Sequence, residues 1–261
     1  MKEKFKSSLK RWPKIYNVLK KNYSLLRVTR NKLEMRLLGT KVKEKFWVRR
    51  HLQKGDDWGD KNNNWIRGYW NSRSHSHRSL LIERISKLNP SSILEIGCNC
   101  GPNLYLLARK FPDAEIVGVD INSMAVDEGN KWFAEEGITN VKLLVKRADD
   151  LSSFSDKSFD IVFTDATLIY VGPDKIMKVM KEMLRIARKT IFLLEWHYFE
   201  SGGADRRGLG VYHSGAWKRD YVALLKQFVE EKRIAVTRIT GDIWPEKNWA
   251  EVGAIIEVTM Y

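Results

Sequence analysis

Ile93-Leu94-Glu95-Ile96-Gly97-Cys98-Asn99-Cys100-Gly101, continued by Pro102-Asn103-Leu104-Tyr105-Leu106-Leu107, decides how this chain folds. A short apolar run ends in an acid. A loop of small residues follows, and then an apolar-rich stretch at helical spacing. That order describes a buried strand, a tight turn and a helix N-terminus. Backbone amides in such a turn face a ligand, with the positive end of the helix behind them. Gly97 and Gly101 permit backbone angles and a close approach that a side chain blocks. Asn99, between them, tolerates the left-handed conformation better than most residues.

The pattern continues on both sides. Leu80, Leu81, Ile85 and Leu88 predict a helix that ends before Asn89-Pro90. Downstream, Ile116-Val117-Gly118-Val119-Asp120 is a buried strand that ends in an acid. A carboxylate at that place accepts hydrogen bonds from the hydroxyls of an adenosine ribose. A helix is expected over 123–136, closed by Gly137, then strands at 141–145 and from Ser158 into the loop through Val171. Lys175 to Arg188 is amphipathic, and Thr190 to Glu195 is a fifth strand whose end, Trp196-His197, faces the same side. Residues 199–215 are Gly-rich and polar, the composition of a lid. A helix from Ala216 to Phe228 and strands at 234–243 and 252–260 complete the chain. Strands alternating with helices predict an α/β fold with a mostly parallel sheet.

Two cofactor families use a strand-turn-helix of this kind. A dinucleotide turn reads G-x-G-x-x-G, which would place Asn99 and Pro102 on glycine positions. An acid two residues before the first Gly, then G-x-x-x-G, resembles instead the first motif of the class I (Rossmann-like) S-adenosylmethionine-dependent methyltransferases, roughly E/D-x-G-x-G-x-G. Glu95, Gly97 and Gly101 match it, and Asn99 departs from its middle Gly. Ser158-Phe159-Asp160-Ile161-Val162 looks like the F-D-x-V motif of the same family. Where that family often has Gly-Asp-Ala, this chain has Arg147-Ala148-Asp149, so Asp149 is the nearest replacement for the adenine-facing acid. The Asn/Asp-Pro-Pro-Tyr/Phe motif typical of DNA and many amide or base N-methyltransferases is not found after the fourth strand.

The resemblance covers 79–261. It implies a seven-stranded, mostly parallel, doubly wound sheet with an antiparallel last strand, and S-adenosylmethionine as cofactor. Carried over position by position, the cofactor residues are Glu95, Gly97, Cys98, Asn99, Gly101, Asp120, Ile121, Ala148, Asp149 and Asp165. Candidate bases are His197, His213 and Asp165, since a base must reach the acceptor hydrogen and His titrates near neutral pH. The acceptor is expected to be a small molecule, a glycan or a lipid-linked molecule. An RNA-directed methyltransferase and a non-catalytic binding module of the same fold are the alternatives.

Charge divides the chain. The whole carries 46 Lys/Arg against 32 Asp/Glu, a net +14. Residues 1–50 hold 17 basic and 3 acidic residues, so 17 − 3 = +14 and the remainder is neutral. After Pro13, Ile15, Leu19, Tyr23, Leu26, Leu33 and Leu37 recur near helical spacing with Lys and Arg between them, and Gly39 marks a stop. Such a basic amphipathic arm suits an anionic membrane surface, nucleic acid phosphates, or packing on the body with a solvated charged face. Its strongly apolar stripe favours the membrane over nucleic acid. No run reaches the ~18 apolar residues of a membrane span. The N-terminus has a basic start without the apolar core of a secretory signal. With two cysteines, Cys98 and Cys100, no disulfide framework forms, and a lone C-x-C is no metal site. Free thiols fit a reducing compartment, and the chain is expected to be cytoplasmic or peripheral at a membrane. No metal is expected. Between arm and body, 51–78 forms a polar, aromatic-studded segment, in which Tyr69, Trp70 and Arg78 are candidates for site contacts. His75 and His77, two apart on a helix, fall on different faces and read as surface histidines.

Overall fold

The structure is a computed structural model, which describes residues 39–52, 65–200, 208–213 and 215–260. The basic helix expected between Pro13 and Gly39 lies outside the described residues, apart from Gly39 itself. Helix α1 (Lys41–Val48) follows, then α2 (Trp65–Asn71) and α3 (Ser76–Ser86). The sheet strands are β1 (Ser92–Ile96), β2 (Glu115–Asp120), β3 (Val141–Val145), β4 (Phe159–Asp165), β5 (Ala187–Trp196), β8 (Ile234–Arg238) and β9 (Gly253–Thr259). Between them run α4 (Pro102–Lys110), α5 (Ser123–Glu135), α6 (Ile176–Ile186), a hairpin of β6 (Val211–His213) and β7 (Ala216–Lys218), α7 (Tyr221–Leu225) and α8 (Lys247–Val252).

The seven-stranded sheet has the order β3-β2-β1-β4-β5-β9-β8. β9 pairs antiparallel with β5 and with β8, and the other neighbours pair parallel. The expected doubly wound sheet with a reversed last strand is therefore present. β1 and β4 are buried along their whole length, as strands covered on both faces must be. The period of two sorts their side chains. Ile93 joins a core with Leu81, Leu104, Trp132 and Phe163, under α3, α4 and α5. Leu94 and Ile96 join a second core with Val162, Val179, Met183 and Leu224, under α6 and α7. Asp160 of the F-D-x-V motif sits at the start of β4, accepts from the Ser91 amide at 2.9 Å and pairs with Arg188 and Lys189. It ties three elements together at the end of the sheet away from the site.

The C-terminal third departs from the expectations. The helix expected over 216–228 is shorter, because Ala216–Lys218 pairs with Val211–His213 as a hairpin. Asp220 then caps α7, accepting from the Ala223 amide at 2.9 Å. The strand expected over 234–243 stops at Arg238, and α8 inserts before β9. No helix among the described residues is long and apolar enough to cross a membrane.

Candidate active site

A cavity of about 550 Å³ opens at the carboxyl ends of β1, β2, β4 and β5, lined among others by Gly97, Asp120, Asp165 and Trp196. Strand ends around a topological switch are where open α/β sheets receive ligands. Gly97, Asn99 and Gly101 all take left-handed angles, with φ of 80°, 52° and 83°. Gly97 also has no room for a side chain: a Cβ there would stand 2.0 Å from the Thr167 hydroxyl oxygen.

The turn does not offer its amides as expected. Gly97 and Cys98 donate to the Val119 carbonyl at 2.7 and 3.1 Å, and Gly101 donates to Cys98 at 2.8 Å. Asn99 donates to Asp120 Oδ2 at 2.8 Å, and Cys100 to the Asn99 side chain at 2.7 Å. The loop is thus internally satisfied, and what it turns to the cavity is glycine surface and the Asp120 carboxylate. Asp120 Oδ1 accepts from the Asn122 amide at 2.8 Å. Each carboxylate oxygen still has acceptor capacity for a hydroxyl.

Of the cofactor positions carried over from the motif, Gly97, Asn99, Asp120, Ile121, Ala148, Asp149 and Asp165 line this one cavity. Glu95, Cys98 and Gly101 are not on its wall. Both cysteines are free and fully enclosed, and burial pushes their thiols up. Asp149 is held by Arg147 at 3.0 Å and Lys175 at 3.2 Å. Glu44 of α1 joins the same cluster, 2.6 Å from Lys175 and 2.8 Å from Arg147. The Thr40 hydroxyl, just before α1, donates to Asp174 at 2.7 Å. Residues 40–48 are thereby strapped across the cavity mouth.

Behind the cavity lies a buried polar network centred on Asp165. Its Oδ2 accepts from His77 Nε2 at 3.0 Å, from Arg78 at 3.0 Å and from Asn103 at 3.0 Å. Burial would raise the Asp165 carboxyl, but these donors outweigh it and hold the group well below its ordinary range. Burial lowers His77, against the pull of the Asp165 carboxylate, and the contact with that carboxylate needs the proton on Nε2. Asn103 also donates to Glu95 Oε1 at 2.7 Å. Burial pushes Glu95 up to about 8. Two acidic oxygens, Glu95 Oε2 and Asp165 Oδ1, are buried without a hydrogen-bond partner. Orphaned carboxylate oxygens beside a cavity suit a ligand that brings N–H donors or positive charge.

Several sequence expectations are corrected here. His77 is no surface histidine: it is 0% exposed and stacks on Trp244 at 3.9 Å. His75 precedes α3 as its N-cap, in extended backbone, so the two rings meet, with their Nδ1 atoms 2.5 Å apart, rather than diverging. Of the candidate bases, His197 is buried beside Phe199 and Tyr221, outside the cavity wall. Burial brings it down to about 4. His213 sits exposed on the β6–β7 hairpin, also off the wall. Asp165 lines the cavity, but the three donors on its Oδ2 hold it too acidic to take a proton. Arg78 reaches the site through Asp165, and Tyr69 lines the cavity, whereas Trp70 packs inward against Trp132 and Phe133. The reading missed an aromatic wall formed by Trp47, Trp65, Tyr170, Trp244 and Trp249 beside Trp196. Trp244 and Trp249 stack at 3.8 Å, and Trp47 packs on Tyr170 at 4.7 Å.

Residues 93–190 match the family model described as a methyltransferase domain. An uncharacterized protein of Rickettsia prowazekii is 30% identical over 151 residues, 54% of this chain and 27% of that protein. Malonyl-[acyl-carrier protein] O-methyltransferase of Priestia megaterium is 34% identical over 102 residues, 39% of this chain and 35% of that protein. The chain thus spans about a third or less of the length of these two curated relatives. Geranyl diphosphate C-methyltransferase from Streptomyces coelicolor, solved with Mg2+, geranyl diphosphate and S-adenosyl-L-homocysteine, superposes with a TM-score of 0.60. That match covers 84% of this chain and 98% of the other at 14% identity, and it is a likeness of fold. The motif around Gly97, the strand order and the matched domain converge: residues 93–190 form a methyltransferase domain of the class I, Rossmann-like, S-adenosylmethionine-dependent kind.

Proposed function

We propose that this chain transfers the methyl group of S-adenosylmethionine to a small-molecule or lipid-linked acceptor. The observation that carries this reading is a single cavity shared by two unlike ends. One end has Gly97, Asp120 and Asp149, and the other has Trp196, Trp244 and Trp249. At the first end Asp120 would hold the ribose hydroxyls, with Ile121, Ala148 and Asp149 beside the adenine. Asp165 on the wall, and Glu95 behind it, with their orphaned oxygens, would answer the cationic amino-acid portion. The cofactor supplies a sulfonium-activated methyl group. The protein's part is to fix donor and acceptor in line, and orientation of that kind can supply much of a rate enhancement.

The test is calorimetry with S-adenosylhomocysteine and NAD on the full chain. S-adenosylhomocysteine should bind, and Asp120→Asn should weaken it about tenfold or more, the scale of losing charge-assisted hydrogen bonds, without moving the unfolding midpoint. Binding of NAD alone would refute the reading. The acceptor class is supported by the apolar wall and by the relatives' substrates as their names give them. The basic arm would bring the cavity to an anionic membrane. Supporting this, Phe46, Val48 and Leu52 are exposed beside Lys41, Lys45 and Arg49. Phe46→Ser with Leu52→Ser should weaken binding to phosphatidylserine vesicles at low salt; unchanged binding would remove the membrane from the proposal.

A further inference from the structure

Lys43 lies on the cavity wall, one helical turn before Trp47, with its ammonium among rings. Nζ is 5.6 Å from the Tyr170 centroid and 5.9 Å from those of Phe46 and Tyr212. Among the described residues it pairs with no carboxylate. Its neighbour Glu44 is already engaged by Lys175 and Arg147. Of the other two lysines on the lining, Lys175 has both Glu44 and Asp149, and Lys146 holds its ammonium 5.8 Å from the Phe154 ring centroid. Desolvation pushes Lys43 below its ordinary value, the behaviour of a cation lacking a counter-charge.

The wall repeats that imbalance in neutral form. The indole N–H groups of Trp47, Trp196 and Trp244 are buried and donate to nothing, although all three residues line the cavity. Native structures rarely leave buried donors unsatisfied. Trp244 is covered on both faces, by His77 and by Trp249, so its edge carries what polarity it can offer. Of the carboxylates on the lining, Glu44 and Asp149 are paired with Arg147 and Lys175, Asp120 and Asp165 are bonded at the donor end, and Glu246 is exposed at the rim. What the lining leaves over is the Lys43 ammonium and three indole N–H groups among rings, and these ask for acceptors.

We infer that the methyl acceptor is an amphipathic oxyanion, a carboxylate or a phosphate monoester. Lys43 pairs with its charged group, and its apolar body lies along Trp196, Trp244 and Trp249. This rests on the methyl-transfer reading for the word acceptor, while the anion site itself does not. An ammonium-bearing molecule would leave every one of these donors unmet and would be repelled by Lys43.

The probes are octanoate, octyl phosphate and octyltrimethylammonium, titrated into the full chain saturated with S-adenosylhomocysteine. Binding is read by calorimetry and by tryptophan fluorescence. At least one anion should bind and the ammonium should not; the tighter anion identifies the head group. Lys43→Gln should weaken the anion about tenfold or more and Lys43→Arg by no more than about threefold, as expected for a desolvated charge pair. Lys110→Gln, exposed at the end of α4, should leave it unchanged and so controls for the chain's overall basicity. Absence of anion binding, equal binding of the ammonium, or equal losses in the Lys43 and Lys110 variants would overturn the inference. So would a parallel loss of S-adenosylhomocysteine affinity in Lys43→Gln, which would assign Lys43 to the donor. Failure of S-adenosylhomocysteine to bind the unaltered chain would instead refute the methyl-transfer reading, and titration of the anions without it would still decide the anion site.

Discussion

Replacing Glu95 by Gln separates what the fold needs from what the site needs. Glu95 is buried in β1, its Oε2 meets no partner, and burial pushes its carboxyl up to about 8 from an ordinary 4.5. A group raised in the folded state keeps a proton that the unfolded chain has released. The stability this confers is whole below about pH 4.5, declines as pH rises towards 8, and is lost above it. At ~1.4 kcal/mol per pH unit, the interval corresponds to ~5 kcal/mol. The Gln amide would put an unpaired donor where Oε2 stands, costing ~1–3 kcal/mol. The variant should therefore exceed the unaltered chain by ~2–4 kcal/mol at pH 8.5, and show no such advantage at pH 5. Urea unfolding followed by tryptophan fluorescence across that range measures it. At pH 8.5, where the Glu95 carboxyl has given up its proton, the same variant should bind S-adenosylhomocysteine about tenfold more weakly, because a neutral amide cannot answer a cation. A stability difference that does not change with pH would refute the burial argument, and unchanged affinity would take Glu95 out of the donor site.

Gly97→Ala should cost ~1–3 kcal/mol from the strained backbone angle, with weaker S-adenosylhomocysteine binding as the Thr167 loop is pushed away; a normal urea midpoint would show that the loop yields freely. Arg78→Met should cost ~3–5 kcal/mol by leaving the Asp165 carboxylate buried with less compensation. Adding Asp165→Asn should recover part of that loss, and strictly additive effects would deny the coupling.

The N-terminal half of the sheet was legible because its signals are local. β1 through β3 and the bend at Gly97 are written in apolar runs, glycines and strand-end acids that lie side by side in the chain. The partners of His77 are not. Asp165 is 88 positions away, and Trp244 comes from the other end of the body, so no local period announces that this imidazole is enclosed. The hairpin at 211–218 was hidden for a related reason. Trp217, Tyr221, Leu224 and Phe228 fit a helical spacing, and only pairing with Val211–His213 overrides it. The aromatic wall draws on α1, α2, the turn after β4, the end of β5 and α8, and such a surface exists only once the sheet has assembled. His197 misses the cavity through geometry: it follows the strand end by one residue, and its ring lies against Phe199 and Tyr221.

The place of β9 has a consequence for how the molecule is made. A ribosome delivers β8 before β9, yet among the described residues β8 has no backbone neighbour in the sheet except β9. Until Gly253–Thr259 emerges, β5 also presents an unpaired edge, a template for the wrong partner. The final strand acts as a keystone, since its arrival closes one gap and recruits a waiting neighbour at once. Stop codons shortly before residue 253 would therefore cost the nascent chain two strands, and would leave it a substrate for chaperones and proteases rather than a slightly trimmed fold.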